Sequence, residues 1–204
     1  MGAIAETHWL VVGLGNPGPE YAQTRHNVGF AVVDRLAGAA RVRFRPDRSR
    51  TVRAWMDLSG VPILLLKPQA FMNLSGPPVA AWLEKLGLSA AHLVAIHDDL
   101  DLPLGRLRIS ARAGPGGHLG VESIQTVLGT RAFPRVRVGI GRPREGQEAA
   151  NKVLETFAPE ELPVVGAVLD RAAEAVRTLI AEGLARAMNR YNYNVQVPAG
   201  DAPA

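Results

Sequence analysis

The sequence predicts an α/β fold in a single domain, with a mixed, twisted central sheet flanked by helices. Short apolar segments typical of buried strands alternate with amphipathic helical patterns along the chain. No linker, internal repeat or low-complexity segment interrupts this alternation over 204 residues, a length sufficient to bury a core. The domain is predicted to span residues 1–204, with loose termini at residues 1–7 and about 195–204.

The N-terminal half is predicted to begin with a buried strand at residues 8–14, followed by an amphipathic helix at residues 27–38. Residues 41–58 mix arginines with alternating apolar positions, which favours exposed, twisted antiparallel strands. Residues 61–67 are strongly apolar and predict a central strand. Pro68 ends that strand because proline has no backbone N–H to donate.

The second half begins with a helix that has Pro77 in its first turn and stops at Gly87. An apolar strand at residues 92–98 follows and runs into acidic residues. The later predicted elements are a strand at 105–111, a glycine-rich loop at 113–120, a helix at 121–128, a strand at 135–140, a short helix within 145–154, a long helix at 159–182 and a second short helical stretch.

The composition excludes several classes of site. There is no cysteine, so disulfides, thiolate metal sites and a cysteine nucleophile are excluded. The net charge is +4 and owes most to arginine, which suits phosphate and carboxylate partners without establishing a nucleic acid. No apolar run approaches the roughly 18 residues of a membrane span, and no signal pattern opens the chain, so a soluble cytoplasmic protein is predicted.

Residues 13–18, GLGNPG, match the dinucleotide-binding pattern G-x-G-x-x-G, and Asp34 follows at about the expected distance. That pattern requires its third glycine to open a long helix and its acid to end the next strand. Here Pro17 and Pro19 bracket the third glycine, and Asp34 lies inside a predicted helix. A nucleotide-dependent oxidoreductase is therefore only an alternative, which cofactor retention on purification would support.

Polar side chains follow three predicted strands at the points where they end. Asn16 and His26 follow the first strand, Asn73 follows the central strand, and residues 97–99, HDD, end the third. The glycine-rich loop adds His118. Because the carboxyl ends of parallel strands face one edge of a sheet, these groups are expected to converge on one crevice.

Each of these groups has a catalytic and a structural interpretation. His26 suits a general base, since histidine titrates near neutrality, but it also suits an ordinary helix cap. Asp98 suits a partner that orients an imidazole. A solvated turn or a Mg²⁺ site is the alternative. Strand alternation opposes the Mg²⁺ site, because it directs neighbouring carboxylates to opposite faces. Asn16 and Asn73 offer amide donors to an oxyanion, or cap turns. No serine motif is present, so the nucleophile of a hydrolase would be water.

Two further features leave their interpretation open. The loop AGPGGHLG at residues 113–120 suits an anion cradle, a lid or a plain turn. A set of arginines near the same strand ends suits either phosphate binding or solvated strand faces. These are Arg106, Arg108, Arg135, Arg137 and Arg142.

Five segments in order closely resemble the bacterial peptidyl-tRNA hydrolase family: GLGNPGPEYAQTRHNVGF, PQAFMNLSG, HDDLDLPLG, GGHLG and RVRVGIGRP, within residues 9–143. The resemblance implies a monomeric enzyme with that family's fold, which needs no metal or organic cofactor and no obligate protein partner. It would cleave the ester between a peptide and the ribose of tRNA, and would bind the acceptor stem and CCA end. A relative that binds RNA without turnover is the main alternative.

The resemblance also implies residue roles. His26 would activate water and Asp98 would keep it basic, while Asn73 would bind substrate and Asn16 would distinguish N-blocked from free aminoacyl-tRNA. The implied contacts to the tRNA and its aminoacyl end are Tyr21, Phe71, His118 and Arg137.

Two positions depart from the family pattern. Leu119 stands where the family usually has a substrate-binding asparagine, so that hydrogen bond is lost or replaced. Ser110 stands where the family has a phosphate-binding lysine, and Arg108 is a candidate substitute.

Overall fold

The computed structural model describes residues 8–192. It contains seven strands: β1 (Trp9–Gly13), β2 (Arg45–Asp47), β3 (Thr51–Leu58), β4 (Val61–Pro68), β5 (Leu93–Asp99), β6 (Leu107–Ser110) and β7 (Arg135–Gly139). It contains six α-helices: α1 (Val28–Ala39), α2 (Gly76–Leu86), α3 (Leu119–Leu128), α4 (Ala149–Leu154), α5 (Leu162–Glu182) and α6 (Leu184–Tyr191).

The strands form one mixed sheet in the order β2-β3-β4-β1-β5-β7-β6. The four inner strands β4, β1, β5 and β7 are parallel, whereas β2, β3 and β6 pair antiparallel at the two sides. The predicted fold class is confirmed. The parallel strands also place their carboxyl ends at one edge of the sheet, which is where the predicted polar residues lie.

Helices cover both faces of the sheet. One hydrophobic core joins α1, α5 and α6 to the face that includes Val11, and the other joins α2 and α3 to the face that includes Leu10 and Val12. Strand β1 is therefore buried on both faces, as its unbroken apolar sequence requires.

The first glycine of the GLGNPG segment serves packing. A Cβ atom on Gly13 would overlap the backbone carbonyl of Gly29 in α1, and one on Gly29 would overlap backbone atoms of Leu14 and Ile96. Helix α1 thus crosses β1 and β5 at a distance that only glycine permits. Asp34 lies within α1, as predicted, and not at the end of a strand.

Several predicted boundaries differ from the structure by one or two residues, and the predicted strand at 105–111 is β6 at Leu107–Ser110. Helix α3 begins at Leu119, two residues before the predicted start, because the His118 side chain caps it. Residues 159–182 are a 3₁₀ turn at Pro159–Glu161 followed by α5, not one continuous helix. The predicted loose termini lie outside the described residues. Within residues 8–192 no helix has the length and apolar character needed to cross a bilayer.

Candidate active site

A cavity of about 710 Å³ lies at the carboxyl edge of the parallel strands. It is lined by residues that follow β1 and β4, by residues of β5 and β7, by the glycine-rich loop and by one side of α4. It collects most of the predicted site: Asn16, His26, Phe71, Asn73, Asp98, His118, Leu119 and Arg137. The convergence expected from parallel strand ends is therefore present in the structure.

Asp98 lies between two histidines at the buried end of this cavity. Its Oδ1 atom is 2.8 Å from Nδ1 of His26 and 2.9 Å from Nε2 of His118. All three side chains are buried, and the centroids of the two imidazole rings are 4.9 Å apart. One carboxylate thus holds both rings in fixed orientations.

The hydrogen bonds of His118 establish its tautomer. Its Nδ1 atom accepts the backbone N–H groups of Gly120 and Val121 at 3.1 and 3.3 Å, which caps α3. The proton of the neutral ring is therefore on Nε2, which donates to Asp98. Asp98 in turn accepts Nδ1–H of His26, so Nε2 of His26 keeps a free lone pair.

His26, Asp98 and His118 also offer potential metal ligand atoms within 4.8 Å of one another. The capping bonds oppose that use, because a His118 ring with its proton on Nε2 has no lone pair there for a metal. The arrangement fits a hydrogen-bonded chain better than a set of metal ligands.

Charge at this site is concentrated on Asp98. Burial raises the pKa of Asp98, but the attraction of the His118 ring and hydrogen bonds from His118 and His26 outweigh burial and hold the pKa well below its usual range. The neighbouring His97 is buried, and desolvation lowers its pKa well below 6.5. The site thus combines an anionic Asp98 with a neutral His97.

Asn16 is held by its backbone and by its amide oxygen. Asn27 accepts the Asn16 backbone N–H at 2.8 Å and donates to its carbonyl at 2.9 Å. The Asn16 Oδ1 atom accepts the backbone N–H of Met72 at 2.9 Å. Within residues 8–192 its amide NH₂ group makes no hydrogen bond, so this donor is available to the cavity.

The segment after β4 supplies a second amide. Asn73 lies in a 3₁₀ turn at Met72–Leu74, and its exposed side chain lines the cavity. Phe71, just before the turn, lines the same cavity. Because Asn16 binds the backbone of Met72, the two amides are connected through a short, ordered segment.

The arginines near the strand ends do not form one exposed surface. Arg137 lines the cavity and pairs through Nε with Asp99, and Arg108 is its exposed cross-strand neighbour. Arg135, on the same face of the sheet, is buried, and its guanidinium donates to the carbonyls of Gly114 and Arg131. Arg135 therefore anchors the glycine-rich loop and is not exposed to phosphates.

Tyr21 is the implied contact that lies apart from the cavity. It ends a 3₁₀ turn at Pro19–Tyr21 and does not line either of the two cavities described among residues 8–192. Its backbone carbonyl accepts the hydroxyl of Thr24. A tRNA contact by Tyr21 stays a prediction.

One wall of the cavity, formed by α4, has no signal in the sequence. Ala149, Ala150, Val153 and Leu154 line the cavity, although no motif marks them. Arg25 secures the segment that follows α4: its backbone N–H binds Glu155 and its guanidinium binds Glu161 and stacks on Phe157. These contacts join positions more than 100 residues apart, so sequence spacing gives no signal for them.

The site combines a buried His–Asp pair with two side-chain amides, and no serine or cysteine is among the described residues that line the cavity. This combination is typical of hydrolases in which a general base activates water. A sequence model of the peptidyl-tRNA hydrolase family matches residues 10–199. The chain belongs to the peptidyl-tRNA hydrolase family.

Individual relatives agree with this assignment. The peptidyl-tRNA hydrolase of Chloroflexus aurantiacus is 48% identical over 185 residues, which is 90% of this chain and 98% of the relative. That of Frankia alni is 46% identical over 184 residues, or 90% and 93% of the two chains. The crystal structure of the Acinetobacter baumannii enzyme superposes with a TM-score of 0.86 at 32% identity, covering 94% of this chain and 97% of that one.

Proposed function

We propose that His26 is the general base in the hydrolysis of peptidyl-tRNA, the reaction of the family to which this chain belongs. The observation that carries the proposal is the hydrogen bond between His26 Nδ1 and Asp98 Oδ1 inside the cavity. That bond leaves the other ring nitrogen of His26 unprotonated and able to accept a proton from water.

The reaction starts when a water bound at Nε2 of His26 attacks the acyl carbon of the ester. The water proton moves to His26, and Asp98 stabilises the resulting imidazolium. General-base catalysis of this kind contributes roughly 10²–10⁴-fold. An ester is easier to cleave than an amide, so the mechanism needs neither a covalent intermediate nor a cofactor.

Negative charge then develops on the carbonyl oxygen. The free amide group of Asn16 and the exposed amide of Asn73 are the proposed donors, and such a donor contributes about 10²–10³-fold. Collapse of the tetrahedral intermediate breaks the bond to the ribose oxygen, which takes the proton from His26. The products are free tRNA and a peptide with a new carboxylate.

The proposed tRNA contacts use the CCA end and the acceptor stem. Arg137 uses Nε for Asp99, so its two terminal nitrogens remain for a phosphate, and the exposed Arg108 lies across the strand pair. Recognition would rest on phosphates and shape, since the major groove of an RNA duplex is too narrow to read. The proposed acting unit is a monomeric, single-domain protein in the cytoplasm, where translation supplies its substrate.

Single-turnover release of an N-acetylated amino acid from tRNA tests the proposal, with wild type and His26→Ala compared in one buffer containing EDTA. The wild type is expected to release the amino acid and the variant to be slower by about 10²-fold or more. Filter binding of the same tRNA is the control for substrate recognition. If both proteins bind tRNA and neither releases product, the chain is an RNA-binding relative instead.

A further inference from the structure

Three large apolar side chains surround the mouth of the cavity and remain largely exposed. Phe71, Leu119 and Leu154 all line it, yet they are 61%, 51% and 45% exposed. We call this set the apolar rim. Exposed apolar side chains scattered singly need no explanation, but three that line one cavity offer apolar surface to whatever binds there.

Leu119 is the rim residue closest in sequence to the reacting groups. It directly follows His118, whose ring is bonded to Asp98, and consecutive Cα atoms are about 3.8 Å apart. The acyl carbon that water attacks beside His26 is bonded directly to the α-carbon of the esterified amino acid. The side chain of that amino acid must therefore lie within a few bond lengths of the reacting carbon, inside the cavity that Leu119 also lines.

Among residues 8–192, the charged groups that line the cavity all have partners, apart from the terminal nitrogens of Arg137 that are proposed above to bind a tRNA phosphate. Its charged lining residues are Asp98, Asp99 and Arg137. Asp98 accepts two imidazole hydrogen bonds, and Asp99 and Arg137 pair with each other. The α4 wall adds only apolar groups, namely Ala149, Ala150, Val153 and Leu154.

We propose that the apolar rim makes this enzyme selective for a bulky apolar side chain on the amino acid esterified to tRNA. The proposal rests on the proposed function and assigns Leu119 as a residue that determines specificity. Apolar contact with Leu119 replaces the hydrogen bond that an asparagine at this position would donate. A side chain enclosed by the rim buries apolar surface that is otherwise exposed to water.

The test uses one tRNA body charged with different amino acids, so that contacts to the tRNA cancel. N-acetyl-leucyl, N-acetyl-glycyl and N-acetyl-aspartyl esters are compared by kcat/KM, each divided by its uncatalysed hydrolysis rate in the same buffer. The wild type is expected to favour leucyl over glycyl and aspartyl esters by about tenfold or more, the effect of a few methylenes in an apolar pocket. Leu119→Asn is expected to reduce that ratio to about threefold or less.

The matched control is Val127→Asn, at an exposed residue of the same helix that does not line the cavity, which should keep the wild-type ratio. Equal normalised rates for all three esters in the wild type would overturn the selectivity while leaving the hydrolase function intact. An unchanged ratio in Leu119→Asn would overturn the assignment of Leu119. Failure to hydrolyse any ester would instead contradict the proposed function.

Discussion

The Nδ1 atom of His26 lies 2.8 Å from Oδ1 of Asp98, although the two residues are 72 positions apart in sequence. His26 follows β1 and Asp98 belongs to β5, and these strands are parallel neighbours in the sheet. The contact therefore depends on strand order. Because Nδ1 is bonded to Asp98, the ring nitrogen of His26 that can accept a proton is Nε2.

Replacing Asp98 with asparagine tests that assignment. An asparagine amide can donate to Nδ1 of His26, which favours the tautomer with the proton on Nε2 and removes the base. The rate of single-turnover peptidyl-tRNA hydrolysis is expected to fall by about 10²–10⁴-fold with tRNA binding retained. Asp101→Asn is the control, since Asp101 is exposed and pairs with Arg142. A rate within threefold of wild type in Asp98→Asn would exclude the orienting role.

His118 has two functions that substitution can separate. Asparagine at position 118 is a good helix N-cap but cannot maintain the imidazole bond to Asp98, whereas alanine loses both contacts. His118→Ala is expected to lower the free energy of unfolding by about 1 kcal/mol more than His118→Asn. Both variants are expected to show the same loss of turnover. Urea unfolding and single-turnover assays measure the two effects, and wild-type turnover in His118→Asn would show that the bond to Asp98 is dispensable.

Much of this site follows from the sequence because parallel strand ends meet at one edge. Asn16 and Asn73 follow strands whose apolar sequence predicts burial, Asp98 lies near the end of another, and His26 lies in the segment that leads from β1 into α1. Once those strands are parallel neighbours, their polar ends have one common direction. The sequence therefore predicts the part of the cavity that is formed by these polar residues.

The rest of the cavity, formed by the glycine-rich loop and α4, depends on long-range contacts that local sequence patterns do not encode. Arg135 has the same alternating sequence context as Arg137, yet it is buried beneath the glycine-rich loop because its guanidinium binds Gly114. The α4 wall is secured through Arg25 and Glu161, which are 136 positions apart. Such pairs become visible only when the whole chain is folded.

Stability should depend on pH through His97. Burial lowers the pKa of His97 well below 6.5, so the folded protein keeps this ring neutral while the unfolded chain binds a proton below about pH 6.5. The unfolded state then holds more protons, and the free energy of unfolding falls as pH falls, by up to about 1.4 kcal/mol per pH unit.

Urea titrations between pH 7.5 and pH 5 measure this effect, and His97→Asn is expected to show a shallower dependence than wild type. Asparagine keeps a donor for the backbone carbonyl of Asp98 that His97 binds at 2.7 Å. This pH range stays above about pH 4. Below pH 4, protonation of carboxylates such as Asp98 would add a separate loss of stability. Identical slopes in the two proteins would mean that His97 is protonated in the folded state.

Two glycines of α1 offer a matched test of how closely this helix approaches the sheet. A Cβ atom on Gly29 would overlap backbone atoms of Leu14 and Ile96, whereas one on Gly38 would have no atom within 4 Å. Gly29→Ala is expected to lower the free energy of unfolding by about 1–3 kcal/mol or more, because backbone cannot move aside as a flexible side chain can. Gly38→Ala is expected to raise it by about 0.4–1 kcal/mol, since alanine restricts the unfolded chain.

Activity should distinguish the same two variants. Residues 25–27 lead directly into α1, so displacing the helix at Gly29 would move His26 relative to Asp98. Turnover is therefore expected to fall in Gly29→Ala and to stay at the wild-type level in Gly38→Ala, with both measured well below the unfolding midpoint. Equal stability of the two variants would show that α1 can withdraw from the sheet without cost. Loss of stability in Gly29→Ala with full turnover would show that the His26–Asp98 contact does not depend on the position of the helix.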